Sequence, residues 1–193
     1  GRFDPIVFTE TPDSQIRLIA EAINSEKRLS GGEERILKKA VQLNVPRKVG
    51  LSEEDFAKYA RMAYPLHPLV LAALPVLFRR LGQNERSVFS YLAGNEPKSL
   101  SDICSSEDFD GFVGLHDLYD YIFTNFEAHL SLHSFGQAIL EANNVISSKD
   151  SLTDEERVTL KDVSLLSSLG TQCALNASQD LIALALAPMA LNE

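Results

Sequence analysis

A chain of 193 residues with 45% hydrophobic and 23% charged content can bury one substantial core. That composition excludes a disordered tail, a collagen-like fibre and a disulfide-stapled mini-protein, and two cysteines, Cys104 and Cys173, are too few for a four-cysteine zinc site. The net charge of −9 is uneven: residues 1–97 sum to +2 and residues 98–193 to −11, so a phosphate-bearing partner belongs with the first half.

In chain order, the apolar spacing is helical almost throughout. After an irregular lead-in, Thr11 followed by Pro12 forms a cap and first turn, and Ile16, Ile19, Ala20 and Ile23 share one face. Ser30, Gly31 and Gly32 break the chain before a second helix, with Ile36, Leu37, Ala40 and Val41 inward and Arg35, Lys38 and Lys39 outward. Pro46 ends that run. Ser52, followed by Glu53, Glu54 and Asp55, opens a third helix whose buried stripe is Phe56, Tyr59 and Ala60. Pro65 and Pro68 bracket His67, and Leu69 to Leu81 is apolar up to Arg79 and Arg80, as befits the centre of a bundle. Gly82 is its expected C-terminal cap, and Asn84 caps a short helix carrying Val88, Phe89, Tyr91 and Leu92.

The stretch from Asp102 to Gly114 reads as an acidic surface loop with a short helix. Leu115–Phe126 and Ser134–Ile146 are two further helices. A polar seam follows at Ser147–Ser151, and a capping box at Thr153–Glu156 opens a helix that ends near Leu169. Ser178 starts the last helix, through Leu186. No stretch alternates as a strand must, so the expected fold class is mostly α, a multi-helix bundle of around eight helices. The most apolar run, Leu181–Leu191, is about half of a membrane span, and no signal-peptide pattern is present, so a cytoplasmic protein is expected.

Few motifs carry chemistry. Leu29-Ser30-Gly31-Gly32-Glu33 matches the LSGG-type signature of ABC ATPases, in which a Gly-rich helix start offers amides to a γ-phosphate. The basic segment that follows, with Lys38-Lys39 and Pro46-Arg47-Lys48, is not the apolar strand that such a signature precedes. A plain turn and helix start is the expectation. There is no P-loop, G-x-G-x-x-G, H-E-x-x-H, C-x-x-C or G-x-S-x-G. His129 and His133 share a helical spacing, but helix caps at Ser131 or Ser134 would separate them, so no metal site is expected. Asp108 with Asp110, and Asp117 with Asp120, read as solvated faces, and both cysteines as small buried residues. Arg86 lies in the first turn of a helix, where the dipole disfavours a cation. Such an arginine either meets an anion together with the exposed amides or pairs with Glu85 or a neighbouring helix.

The run Tyr64-Pro65-Leu66-His67-Pro68-Leu69, the apolar helix after it and Gln83-Asn84-Glu85-Arg86-Ser87-Val88-Phe89-Ser90-Tyr91-Leu92 resemble a segment of large prokaryotic P-loop ATPases of the AAA+ and STAND type. There the segment lies in an all-helical lid, C-terminal to the nucleotide-binding core. Gly1-Arg2-Phe3 is similar to the stretch leaving that core. Leu160-Lys161-Asp162 through Leu165, Leu166 and Leu169-Gly170, with Asn176-Ala177-Ser178, resembles the first two helices of a winged helix that follows the lid.

The resemblance implies an excised fragment: residues 1–12 leading in from an ATPase core, 13–146 forming the lid-like bundle and 152–193 a partial winged helix. It implies that Arg86 reaches the γ-phosphate as a lid arginine, with Asn84 and Glu85 supporting it and His67 as a packing or relay residue. ATP and magnesium would belong to the parent chain, with no cofactor and no catalysis in the fragment itself. The core in cis and other proteins would be its partners, not a membrane, and the acidic second half is unsuited to nucleic acid. The alternative is a free-standing all-α adaptor that binds another protein through Asp108, Asp110 and Asp117.

Overall fold

The computed structural model describes residues 11–81, 85–107, 109–169 and 175–189. Within them the chain forms eleven α-helices and a 3-10 turn, with no strand. The helices are α1 (Pro12–Ile23), α2 (Gly31–Gln42), α3 (Val45–Lys48), α4 (Glu53–Met62), α5 (Pro68–Arg80), α6 (Glu85–Ala93), α7 (Leu100–Cys104), α8 (Leu115–Leu130), α9 (Gln137–Ser148), α10 (Asp154–Leu169) and α11 (Gln179–Leu186). The mostly α class expected from the apolar spacing is the observed one. Among the described residues no helix is long and apolar enough to cross a membrane.

Local chemistry sets most helix starts. Ser52 Oγ accepts the Asp55 amide at 3.0 Å, and Ser178 Oγ accepts the Leu181 amide at 3.3 Å, each satisfying an N–H that the helix leaves orphaned. At α10 the Thr153 amide donates to Glu156 at 2.8 Å while Thr153 Oγ1 accepts the Glu156 amide at 3.2 Å, which is the expected capping box. A second box holds α2. The Ser30 amide donates to Glu33 at 2.6 Å, and Ser30 Oγ accepts the Glu33 amide at 3.3 Å. Gly31 and Gly32 therefore form the first turn of α2 instead of a break before it. The break lies earlier, beginning at Asn24, whose left-handed backbone (φ 44°) ends α1.

α5 is the axis of the molecule. Every residue from Pro68 to Phe78 is buried, and burying each large aliphatic side chain contributes about 1.5–3 kcal/mol. α1, α2, α3, α6, α8 and α10 all pack on it. α4 packs on α1 and α2, while α8, α9 and α10 form a stack in which each packs on the other two, and α10 leads to α11. α11 packs on α10 and returns to α2. One apolar core runs through all of this, from Ile16 and Leu37 through Leu71 and Tyr91 to Leu118, Leu165 and Leu184.

Polar ties fasten the stack. Tyr119 donates to the Ile139 carbonyl at 2.9 Å, joining α8 to α9. From α10, Arg157 donates to the Ile146, Lys149 and Leu152 carbonyls and so closes the end of α9. The segment after α4, in which the Tyr64–Pro65 bond is cis, pairs with the segment before α8 in an isolated bridge. Its bonds are the Val113 amide to the Pro65 carbonyl at 2.8 Å and the His67 amide to the Val113 carbonyl at 3.0 Å.

Three local expectations need correction. The helix expected over Ser134–Ile146 starts as a 3-10 turn at Ser134–Gly136, and α8 runs on to Leu130 past a non-helical Phe126 (φ −131°). Crowding is the reason: a Cβ at Gly136 would stand 2.4 Å from the Leu130 carbonyl oxygen. Pro46 does not simply end a helix but sits inside the short α3, entered through Asn44 at φ 58°. Cys104 is exposed, because Leu100 and Ile103 take the inward positions of the five-residue α7. Cys173, Gly82 and Asp108 lie outside the described residues.

Candidate functional site

Asn84 and the side chains of Glu85 and Arg86 lie outside the described residues. The α6 backbone is described from Glu85, so positions 85 and 86 belong to its first turn. Before that turn, Arg79 is exposed at the end of α5, and Arg80 donates to the Ser168 carbonyl of α10.

His67 is the N-cap of α5. Its ring is completely buried, with Nδ1 accepting the Leu69 amide at 3.1 Å and the ring edge-on to Phe112 at 5.4 Å. Burial, with a smaller contribution from the nearby His116, lowers its pKa to about 3. The ring is therefore neutral, and it does the work that a serine performs at most helix starts.

A cleft of about 490 Å³ opens where the α1–α2 connection, the segment before α8 and the residues after α11 converge. Lys27, Glu33, Asp110, His116 and Asp117 give it a mixed charge. Lys27 Nζ donates to the Tyr64 hydroxyl at 2.7 Å and lies 4.6 Å from the centre of that ring. Burial opposes ionisation of Glu33, but the Ser30 bonds, with help from Tyr64 and Lys27, outweigh it and lower its pKa. The LSGG-like turn is thus a helix start closed by its own carboxylate. The Ser30 amide is already used, and a negative charge sits where a phosphate would have to come.

At the inner edge of this cleft stands His116, in the first turn of α8. Its Nδ1 is 3.6 Å from Asp162 Oδ1, and its Nε2 is 3.5 Å from Asp117 Oδ2. Asp162 comes from α10 and is completely buried, and neither of its carboxylate oxygens has a hydrogen-bond partner. Asp117 also accepts the Gly114 amide at 2.8 Å, which closes the start of α8. Gly114 makes the arrangement possible: a Cβ there would stand 2.5 Å from His116 Cε1 and 2.9 Å from Nδ1. Burial works against a charged His116 ring, but Asp162 and Asp117 outweigh it and raise the pKa. Burial pushes Asp162 up by more than the imidazole pulls it down.

Chemically, this is an imidazole flanked by two carboxylates, one of them fully buried. The carboxylates flank opposite ring nitrogens, so they do not converge on a point that a metal could occupy, and among the described residues no cluster of metal-ligating side chains forms. His129 and His133 face separate aromatic rings, Phe126 and Phe135. Asp117 and Asp120 are not the solvated face expected of them. Asp117 belongs to the His116 group, and Asp120 pairs with Lys161 at 2.7 Å.

Sequence reasoning missed the His116–Asp162 contact altogether. The one local signal was Gly114 followed three residues later by Asp117, the spacing of a helix cap. No protein-family model matches the chain, and no curated protein or solved structure matches it.

Proposed function

We propose that the chain is the helical lid of a P-loop ATPase, coupling the nucleotide state of a core in the same polypeptide to the domains that follow, with no catalysis of its own. One observation carries the reading: a helix start bearing Arg86 follows directly from the buried axis of the bundle. α6 packs on α5, so a force on the first turn of α6 is felt by the helix on which α1, α2, α8 and α10 all rest. An arginine at such a place meets the γ-phosphate when ATP is bound and loses that contact after hydrolysis, so the lid closes and loosens with the nucleotide. Asn84 and Glu85 hold the arginine in place, and neutral His67 keeps the start of α5 rigid. ATP and magnesium are supplied by the core. In this reading α10 and α11 begin the winged-helix-like unit that receives the motion, and it acts on protein rather than on nucleic acid.

The test is Arg86→Ala in the complete ATPase, beside Arg86→Lys. Turnover should drop by about tenfold or more in the alanine variant, because a charge-assisted phosphate contact is lost. The lysine variant recovers only part of it, since a point charge cannot replace the bidentate fork. Unchanged turnover with unchanged nucleotide affinity rejects the lid arginine. In that event the adaptor reading, tested by charge reversal at Asp108, Asp110 and Asp117, takes its place.

A further inference from the structure

We propose that His116 is a proton-operated clasp between α8 and α10. With its ring charged it bridges Asp117 on its own helix and Asp162 on the other; without that proton, Asp162 is left as a buried carboxylate lacking a counter-charge, and the α10–α11 arm is less firmly held. The inference does not depend on the ATPase reading.

The geometry has three independent parts. The ring lies between two carboxylates at 3.5 and 3.6 Å, one on each side. Asp162 is wholly buried with both oxygens unbonded, so the imidazolium is its nearest source of compensation. Gly114 leaves room for the ring at that spot, where a Cβ would push the imidazole aside. The remaining charged groups nearby are accounted for. On α10, Lys161 is bound to Asp120 of α8. At the start of α5, His67 is neutral. Partial burial and Asp117 keep the α7 thiol of Cys104 above its ordinary value. Across the cleft, Lys27 is bound to Tyr64 and Glu33 is committed to the α2 cap, leaving Arg28 and Asp110 on the rim.

The direction follows from His116 being raised above its ordinary value of 6.5 in the folded chain. The clasp is fully closed below 6.5 and is lost as pH rises through the raised folded value.

Two measurements on the unmodified chain test this together: the ring-proton NMR titration of His116, assigned with His116→Gln, and hydrogen exchange of the α10 amides after correction for the intrinsic pH dependence. The expected result is a titration above 6.5 and a loss of α10 protection over the same pH interval. In Asp162→Asn the titration moves down and the step in protection disappears. Gly114→Ala, which keeps both carboxylates but displaces the ring, abolishes the step in the same way. A His116 titration at or below 6.5 overturns the proposal. So does α10 protection that ignores the titration, and both readings stand even if neither variant folds.

Discussion

His67 shows how one side chain can fix the acid limit of a fold. Its ring refuses a proton until about pH 3, whereas the unfolded chain accepts one near 6.5. The folded value is depressed, so the stability is present above 6.5 and lost as pH falls from 6.5 toward 3, at a slope of about 1.4 kcal/mol per pH unit for one proton. Thermal unfolding followed across that interval should show the midpoint falling. His67→Asn retains a cap and should flatten the fall while lowering the midpoint at neutral pH, because it leaves space beside Phe112. An unchanged acid slope in that variant would transfer the effect to other groups. The bracketing prolines made His67 visible in the sequence. Its role as a cap was not, because a ring nitrogen can accept the Leu69 amide only while the ring is neutral, and it is burial that keeps it so. His116 and Asp162 were less legible still: they meet only because α10 folds back across α8.

At the scale of the element, the starts of α4, α10 and α11 were legible because Ser52, Thr153 and Ser178 act on amides three residues away. The junction of α8 and α9 was not. It is set by the approach of Gly136 to the backbone of Leu130, a contact that no window of local sequence records. Gly136→Ala should therefore cost about 1–3 kcal/mol, as overpacking does, with helix content by circular dichroism nearly unchanged. Urea unfolding would measure it, and a loss below a few tenths of a kcal/mol would mean that the 3-10 turn can shift to admit a methyl group. Likewise, the double glycine of α2 suggested a break until Glu33 was seen to reach back to Ser30. The S-x-x-E spacing is present in the sequence, and two glycines inside it mask it as a turn.

For the whole molecule, α5 was the most legible element, since a helix apolar on all sides has nowhere to lie except at the centre. Leu71→Ala should cost about 2–5 kcal/mol in urea unfolding, the range for a large-to-small change in a closed core. A loss under 1 kcal/mol would show that the neighbouring helices collapse around α5. The charge asymmetry was also legible, but its use was not. Part of the acidic half is spent within the fold, Asp162 buried beside His116 and Asp120 paired, half-buried, with Lys161. The proposed acid-exposed adaptor surface is correspondingly smaller than the net charge suggests. Because His67 weakens the fold on the acid side and His116 on the alkaline side, stability should peak between their transitions.

The return of α11 to α2 bears on the order in which the bundle folds. The apolar strip around Ile36 of α2 and its cover of Ala183, Leu184 and Ala187 stand far apart along the chain, with α3 to α10 between them. Until α11 docks, α2 carries an uncovered apolar seam, a surface that the folded bundle withdraws. Closing so long a loop costs chain entropy, so the α11–α2 contact is expected to form after the local helix pairs.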